Sequence, residues 1–121
     1  MVIKTKARPA MFRDGYAVIC RYDRPTSTFA AAKNARTMDD LQKVGKLAFD
    51  EMSRRQQDID FAGSADRSLS YKIRTRLQPD LCREEYCAVI NGILYDVITI
   101  DTDRAAELAY WYLEEVRELE G

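Results

Sequence analysis

The sequence predicts a mainly β fold of about six antiparallel strands with one or two short inserted helices. Asn91-Gly92 separates two apolar runs, and both residues tolerate the positive φ that a type I′ hairpin turn requires. Apolar and polar residues alternate with a period of two from Leu69 to Leu77, as in a half-buried strand. A first strand is predicted over residues 16–22, where Tyr16, Val18, Cys20 and Tyr22 alternate with Ala17, Ile19 and Arg21. The 121 residues suit one domain with a single core, and the sequence contains no linker, so we expect residues 1–121 to form one domain.

The Asn91-Gly92 turn also predicts the register of its two strands. With a two-residue loop, Ile90 faces Ile93, and the pairing continues outward along both strands. One face of the hairpin then carries six apolar residues: Tyr86, Ala88, Ile90, Ile93, Tyr95 and Val97. The other face is mixed: Glu85, Cys87, Val89, Leu94, Asp96 and Ile98. We expect the first face to be core and the second to be partly solvated or covered by a partner.

The first half of the chain is less regular. Residues 26–36 show little pattern and are predicted to form a loop. Thr37-Met38-Asp39-Asp40 has the spacing that caps a helix start, which predicts a short helical turn to about Val44. Residues 46–52 alternate enough to form a strand.

A second capping pattern predicts the inserted helix. Ser53 to Gln56 has the same type of spacing, and Gly63 supplies a stop ten residues later. We expect a short helix over residues 54–62, with Ile59 and Ala62 facing inward.

The C-terminal segment gives two conflicting signals. From Ala105 to Leu119 the apolar residues fall at helical spacing, but Tyr110, Trp111 and Tyr112 favour strands. The residues alone leave helix and strand open.

The order of these elements resembles the head-closure, or head–tail adaptor, family of long-tailed bacteriophages and their prophages. The similarity extends from about Leu47 to Leu119 and rests mainly on the strand "KIRTRL" followed by the hairpin "INGILYDVITID". The N-terminal "FRDG" is also similar to members of this family. The resemblance implies a small β-barrel with one inserted helix, in which residues 110–119 form a strand, and we therefore expect a strand there.

The resemblance also implies a function without catalysis. Such a subunit self-associates into a ring beneath the portal protein and joins the DNA-filled head to neighbouring connector or tail proteins. The implied location is the head–tail interface of the virion, reached from the cytoplasm of the bacterial host, without a membrane. Packaged DNA in the lumen of the ring is a further expected contact.

The residue types argue against an enzyme. The chain has no histidine, which removes the commonest general base and the Ser/His/Asp and Cys/His arrangements. The three cysteines, Cys20, Cys82 and Cys87, lack the pairing of a tetrahedral zinc site and are expected to be reduced thiols. There is no glycine-rich phosphate loop either. We expect no catalytic residue, no metal and no cofactor.

One basic stripe is the strongest candidate for a binding site. A formal net charge of −1 is too low for a protein that binds DNA over its whole surface. Strand alternation nevertheless places Lys72, Arg74 and Arg76 on one face, and Arg54 and Arg55 add to it if they fold onto the same side. These cations are candidates for contact with DNA or a neighbouring subunit. The alternative is a solvated sheet face that nearby acidic residues balance.

Three consecutive aromatic residues form the second candidate. Tyr110, Trp111 and Tyr112 are interpreted as core or interface residues, and partial exposure would favour assembly. Together with the basic stripe they also support an alternative function, a small β-barrel module that binds nucleic acid.

Overall fold

A closed six-stranded antiparallel barrel forms the body of the protein. The computed structural model describes residues 10–22 and 36–120. The strands are β1 (Gly15–Tyr22), β2 (Leu41–Glu51), β3 (Tyr71–Arg76), β4 (Cys87–Ile90), β5 (Ile93–Asp103) and β6 (Leu108–Glu118). One α-helix, α1 (Gln56–Ser64), lies between β2 and β3, and a single 3-10 turn, Met38–Asp40, precedes β2. The predicted fold class is confirmed.

The strands follow the order β1-β2-β3-β6-β5-β4 around the barrel, and the pairing of β4 with β1 closes it. Each pair of neighbours is antiparallel. The register shifts at Ile19/Cys20 on β1 and at two points on β5. Such irregularities increase the local bend and twist, which helps a sheet to curve into a barrel.

The barrel interior is the main hydrophobic core. Trp111, Phe49, Ile19, Ile73 and Leu113 are among its fully buried side chains. The indole N–H of Trp111 donates to the hydroxyl of Thr75 at 2.9 Å, so the polar atom of this central residue is satisfied.

The loop between β3 and β4 covers part of this core. Leu81 is buried within the core cluster and approaches the backbone of Gly45 on β2. A Cβ atom on Gly45 would lie 2.8 Å from one Leu81 methyl carbon, so the loop packs this closely only because position 45 has no side chain.

The predicted hairpin is confirmed. Ile90 pairs with Ile93 and Ala88 with Tyr95, and Asn91 and Gly92 have φ values of 52° and 79°. Its second face is more buried than we expected. Cys87, Val89 and Leu94 pack with Cys20 and Leu41 in a second cluster on the outside of the barrel. The covering of this face is therefore largely intramolecular.

The C-terminal segment is a strand, as expected from the resemblance. Residues 108–118 form β6, which pairs with both β3 and β5. The predicted turn after Thr37 is shorter than expected. It ends at Asp40, and β2 begins at Leu41 rather than near residue 46. Most of the predicted loop 26–36 lies outside the described residues.

Helix α1 is rotated relative to the prediction. It begins at Gln56 rather than residue 54, and the carboxylate of Asp58 accepts the backbone N–H of Arg55 at 2.9 Å. Asp58 and Ala62 face the barrel, whereas Ile59 is exposed, so the expectation that Ile59 faces inward was wrong. Asp58 and Ala62 are four residues apart and share one helical face, and ion pairing of Asp58 directs that face inward.

Candidate interaction surface

The predicted basic stripe on β3 is mostly not at the surface. Lys72 and Arg74 are buried, and Arg76 alone is exposed. The expectation of an exposed row of three cations was therefore wrong. Alternation placed them correctly on the outer face of the barrel, but other elements of the chain cover that face. Each of the three cations contacts a covering element.

Lys72 attaches α1 to the barrel. Its Nζ lies 2.9 Å from Oδ2 of Asp58, and the two side chains are only 6% and 5% exposed. The Lys72 ammonium also lies 5.0 Å from the centre of the Tyr112 ring. Burial alone would raise the pKa of Asp58, but hydrogen bonds from Arg55 and Lys72 outweigh it and lower the pKa to about 2. Asp58 is therefore a carboxylate at neutral pH, and the ion pair is formed.

Arg74 and Arg76 hold the segment that precedes β1. Arg74 and Asp50 are directly opposite each other on β3 and β2, and Nη2 of Arg74 lies 2.9 Å from Oδ2 of Asp50. Asp50 also accepts the backbone N–H groups of Met11 and Arg13. Burial opposes ionisation of Asp50, but these hydrogen bonds lower its pKa. Arg76 lies 5.2 Å from the centre of the Phe12 ring.

Arg54 and Arg55 are exposed at the start of α1, as expected of a binding site, but they do not extend the stripe. Nη1 of Arg54 donates to the carbonyl of Leu69, and Arg55 pairs with Asp58. Arg76 is seven residues beyond Leu69, roughly 20 Å away at about 3.3 Å per residue. The structure therefore brings Arg55 and Lys72 together at Asp58 and leaves Arg76 separate.

The three consecutive aromatic residues are divided between two sides of β6. Trp111 is fully buried in the barrel interior, so of its two expected roles, core or interface, it has the core role. Tyr110 and Tyr112 are on the outer face, where they pack with Ala62, Leu69 and Ile98 under α1. Tyr112 is 9% exposed and Tyr110 is half-buried, so only part of this aromatic surface is accessible.

An open cleft lies between α1 and β5. Its volume is about 290 Å³, and its lining residues are Asp58, Phe61, Thr99, Ile100, Asp101 and Tyr112. Phe61 is 53% exposed and adds a large apolar side chain to the edge of this cleft. Of the candidate site residues predicted from the sequence, Tyr112 alone lines this cleft. Nothing in the sequence around Phe61 and Ile100 distinguishes cleft residues from core residues.

The rim of this cleft is acidic. Asp101 is exposed, and Glu84 is exposed nearby, where its Oε2 accepts the hydroxyl of Thr99 at 2.9 Å and the backbone N–H of Ile100 at 3.1 Å. Asp58 is paired with Lys72 and Arg55, and Asp101 and Glu84 add two exposed carboxylates beside the cleft. An apolar floor with an acidic rim suits an apolar or aromatic group next to a cation.

A second ion network on the outer face is structural. Asp96 and Glu114 are directly opposite each other on β5 and β6, an unfavourable pair of like charges. Arg67, which follows α1, bridges them, with Nη2 at 2.7 Å from Asp96. Asp96 also accepts the hydroxyl of Tyr22. This network holds the end of the helical insertion against the barrel.

A metal site, a reactive thiol and a membrane-spanning helix are three further features that could indicate a function in the described part of the chain. No group of three or more Cys, Asp or Glu side chains there is arranged to hold a metal ion. Cys20 and Cys87 are buried, and burial raises the pKa of the Cys20 thiol to about 11 and that of Cys87 to about 12, so both behave as packing residues. Asp103 accepts the backbone N–H of Ala106, a role in the turn that follows β5. No helix over residues 10–22 and 36–120 is long and apolar enough to span a membrane.

No protein-family model matches the chain, and no curated protein matches its sequence. The fold and the surface described above therefore carry the functional argument.

Proposed function

We propose that this protein is a structural connector subunit of a phage or prophage, which docks beneath the portal protein and joins the DNA-filled head to the tail. The observation that supports this most is the closed barrel with one helix inserted between β2 and β3. This architecture is the one that the resemblance to head-closure proteins implies. The proposed subunit has no catalysis of its own and contributes a rigid shape.

The packing of α1 is consistent with such a role. The buried pair of Asp58 and Lys72 holds the helix to the barrel wall, while Ile59 and Phe61 remain exposed. These two side chains are about 200° apart around the helix, on its opposite flanks. A fixed helix with apolar residues on both flanks offers two directions of contact to neighbouring proteins.

The alternative, a barrel that binds nucleic acid by itself, loses its main support. Lys72 and Arg74 form buried ion pairs with Asp58 and Asp50, so neither side chain is available to bind phosphate groups. Trp111 is in the core and cannot stack on a base. The exposed Arg54, Arg55 and Arg76 remain the candidates for a few contacts with packaged DNA in a ring lumen.

Electron microscopy of the purified chain mixed with the portal protein from the same gene neighbourhood tests this proposal. We expect an added layer of density beneath the portal ring, and we expect the chain to sediment with the portal. Portal rings without added density at saturating concentrations of the chain would contradict the proposal.

A further inference from the structure

Two surfaces on opposite sides of the barrel are complementary in charge. The first is the cleft between α1 and β5, with its apolar floor and the acidic rim of Glu84 and Asp101. The second is formed by Tyr16, Lys43, Val44 and Lys46 on the outside of β1 and β2, and we name it the β1–β2 face. The first surface is apolar and acidic, and the second is apolar and basic.

The β1–β2 face exposes an aromatic ring together with a cation. Tyr16 is 61% exposed, and Val44 on β2 is also exposed. Nζ of Lys46 lies 4.7 Å from the centre of the Tyr16 ring, and Lys43 is exposed on the same strand. Neither lysine has a carboxylate partner within salt-bridge distance among the residues that the structure describes. The positive charge on this face is therefore not neutralised by the described part of its own chain.

The cleft has the size for such a group. A cavity of roughly 150 Å³ is enough to hold a benzene ring, so about 290 Å³ accommodates one tyrosine side chain. Phe61 and Tyr112 supply aromatic walls for the ring. Asp101 and Glu84 lie where an adjacent ammonium group would be favourable.

The position of the two surfaces determines the type of assembly. In the order β1-β2-β3-β6-β5-β4, two strands separate β2 from β5 in either direction around the barrel. The β1–β2 face and the cleft therefore point away from each other, and one copy cannot bring them together. Two copies can do so head to tail, and repetition of such a contact gives a ring when the rotation closes.

We propose that the cleft of one copy receives Tyr16 and Lys46 of a second copy, in a heterologous interface that repeats around a ring. The ring of Tyr16 lies between Phe61 and Tyr112, and the Lys46 ammonium lies beside Asp101. The inference rests on the proposed function for the existence of a ring, and it adds the two surfaces that build it.

Cross-linking between single-cysteine variants tests this interface. Val44→Cys and Thr102→Cys, which are exposed and leave Tyr16, Lys46 and Asp101 in place, are made separately in a Cys82→Ser background, in which Cys20 and Cys87 stay buried. The variants are mixed at high concentration and treated with a short bismaleimide. We expect covalent dimers in the mixture and none with either variant alone. Glu118→Cys, also at an exposed position, replaces Thr102→Cys in the matched control and should give no dimer with Val44→Cys.

Dimers from Val44→Cys alone would mean a symmetric contact, and no dimer above the control level would mean that the two surfaces do not meet. Either outcome overturns the proposal. Charge reversal gives a second measurement, by sedimentation velocity. Lys46→Glu and Asp101→Lys should each weaken self-association by about tenfold, and the double variant should recover it. Failure of the double variant to recover would also contradict the pairing.

These outcomes separate the inference from the proposed function. If the chain binds the portal but the cross-link is absent, only the inferred interface is wrong. If the cross-link forms but the chain never binds the portal, the interface stands and the connector function falls.

Discussion

Nζ of Lys72 on β3 lies 2.9 Å from Oδ2 of Asp58 on α1, and both side chains are almost fully buried. This ion pair attaches the only α-helix of the described chain to the barrel. It also removes Lys72 from the set of cations that a ligand can contact. The pair thus determines both the position of α1 and the chemistry of the outer face of β3.

Loss of the Asp58 charge should destabilise the protein strongly. Asp58→Asn leaves the Lys72 ammonium buried without a counter-charge, which typically costs about 3–5 kcal/mol. Arg55→Met is the matched control, because Arg55 contacts the same carboxylate but is 60% exposed, and it should cost less than about 1 kcal/mol. The free energy of unfolding from urea titration measures both. Equally small effects in the two variants would contradict a structural role for the buried pair.

The Asp58 carboxylate should also make the free energy of unfolding depend on pH. The folded-state pKa of Asp58 is about 2, below its ordinary value of 3.8, because hydrogen bonds from Arg55 and Lys72 outweigh burial. A carboxyl group whose pKa is lower in the folded than in the unfolded protein stabilises the folded state at any pH above the unfolded-state pKa. This stabilisation is lost as the pH falls from the unfolded-state pKa through the folded-state pKa. We expect Asp58 to account for a loss of about 2 kcal/mol between about pH 4 and pH 2. The pKa of Asp50 is also lowered, so it acts in the same direction.

Urea titrations at several pH values in this range measure the effect. The control is the double variant Asp58→Leu/Lys72→Met, which removes the buried charges together and should show a shallower dependence on pH. If the free energy of unfolding changes equally with pH in the double variant and in the unaltered protein, Asp58 is not a source of the pH dependence.

Arg74→Met should loosen the segment that precedes β1. Arg74 and the backbone N–H groups of Met11 and Arg13 share the carboxylate of Asp50, and without Arg74 this buried charge loses its cation. We expect a cost of about 3–5 kcal/mol and faster hydrogen exchange of the Met11 and Arg13 amides. Arg76→Met removes only an exposed cation over the Phe12 ring, at a cost of about 0.5–1 kcal/mol. Unchanged exchange in the Arg74 variant would show that Asp50 holds this segment without help.

Position 45 should not tolerate a side chain. A Cβ atom there would lie 2.8 and 2.9 Å from the two methyl carbons of Leu81, and such overpacking typically costs about 1–3 kcal/mol. Gly45→Ala should therefore lower the thermal midpoint, and the same change should cost less in a Leu81→Ala background. Gly63→Ala on α1 is the control, because its added Cβ meets no atom within 4 Å. If Gly45→Ala lowers the thermal midpoint equally in the unaltered and the Leu81→Ala backgrounds, the close contact with Leu81 is not the cause of the destabilisation.

Much of the fold was predictable from local chemistry. The Asn91-Gly92 turn specified its own hairpin, because both residues adopt positive φ and the apolar alternation permits only one register. The C-terminal strand was not predictable from periodicity, since its apolar residues also fit a helix. Pairing of β6 with β3 and β5 decides the outcome, and this tertiary contact leaves no local signal.

The site was harder to predict than the fold. Alternation correctly placed Lys72 and Arg74 on the outer face of β3, but it cannot show that α1 and residues 10–14 cover that face. Burial of the two cations depends on Asp58 and Asp50, which are distant in sequence. The cleft residues Phe61 and Ile100 come together for the same reason, through packing of a helix on a strand.

Binding to the portal and to nucleic acid, measured side by side at physiological salt, tests the connector function most directly. We expect the free subunit to bind portal rings and to have only weak, salt-sensitive affinity for single-stranded DNA and RNA, because the formal net charge is −1 and Lys72 and Arg74 of the predicted basic stripe are buried in ion pairs. A dissociation constant for nucleic acid of about 1 μM or tighter, without association with the portal, would contradict the connector function and support the nucleic-acid-binding alternative.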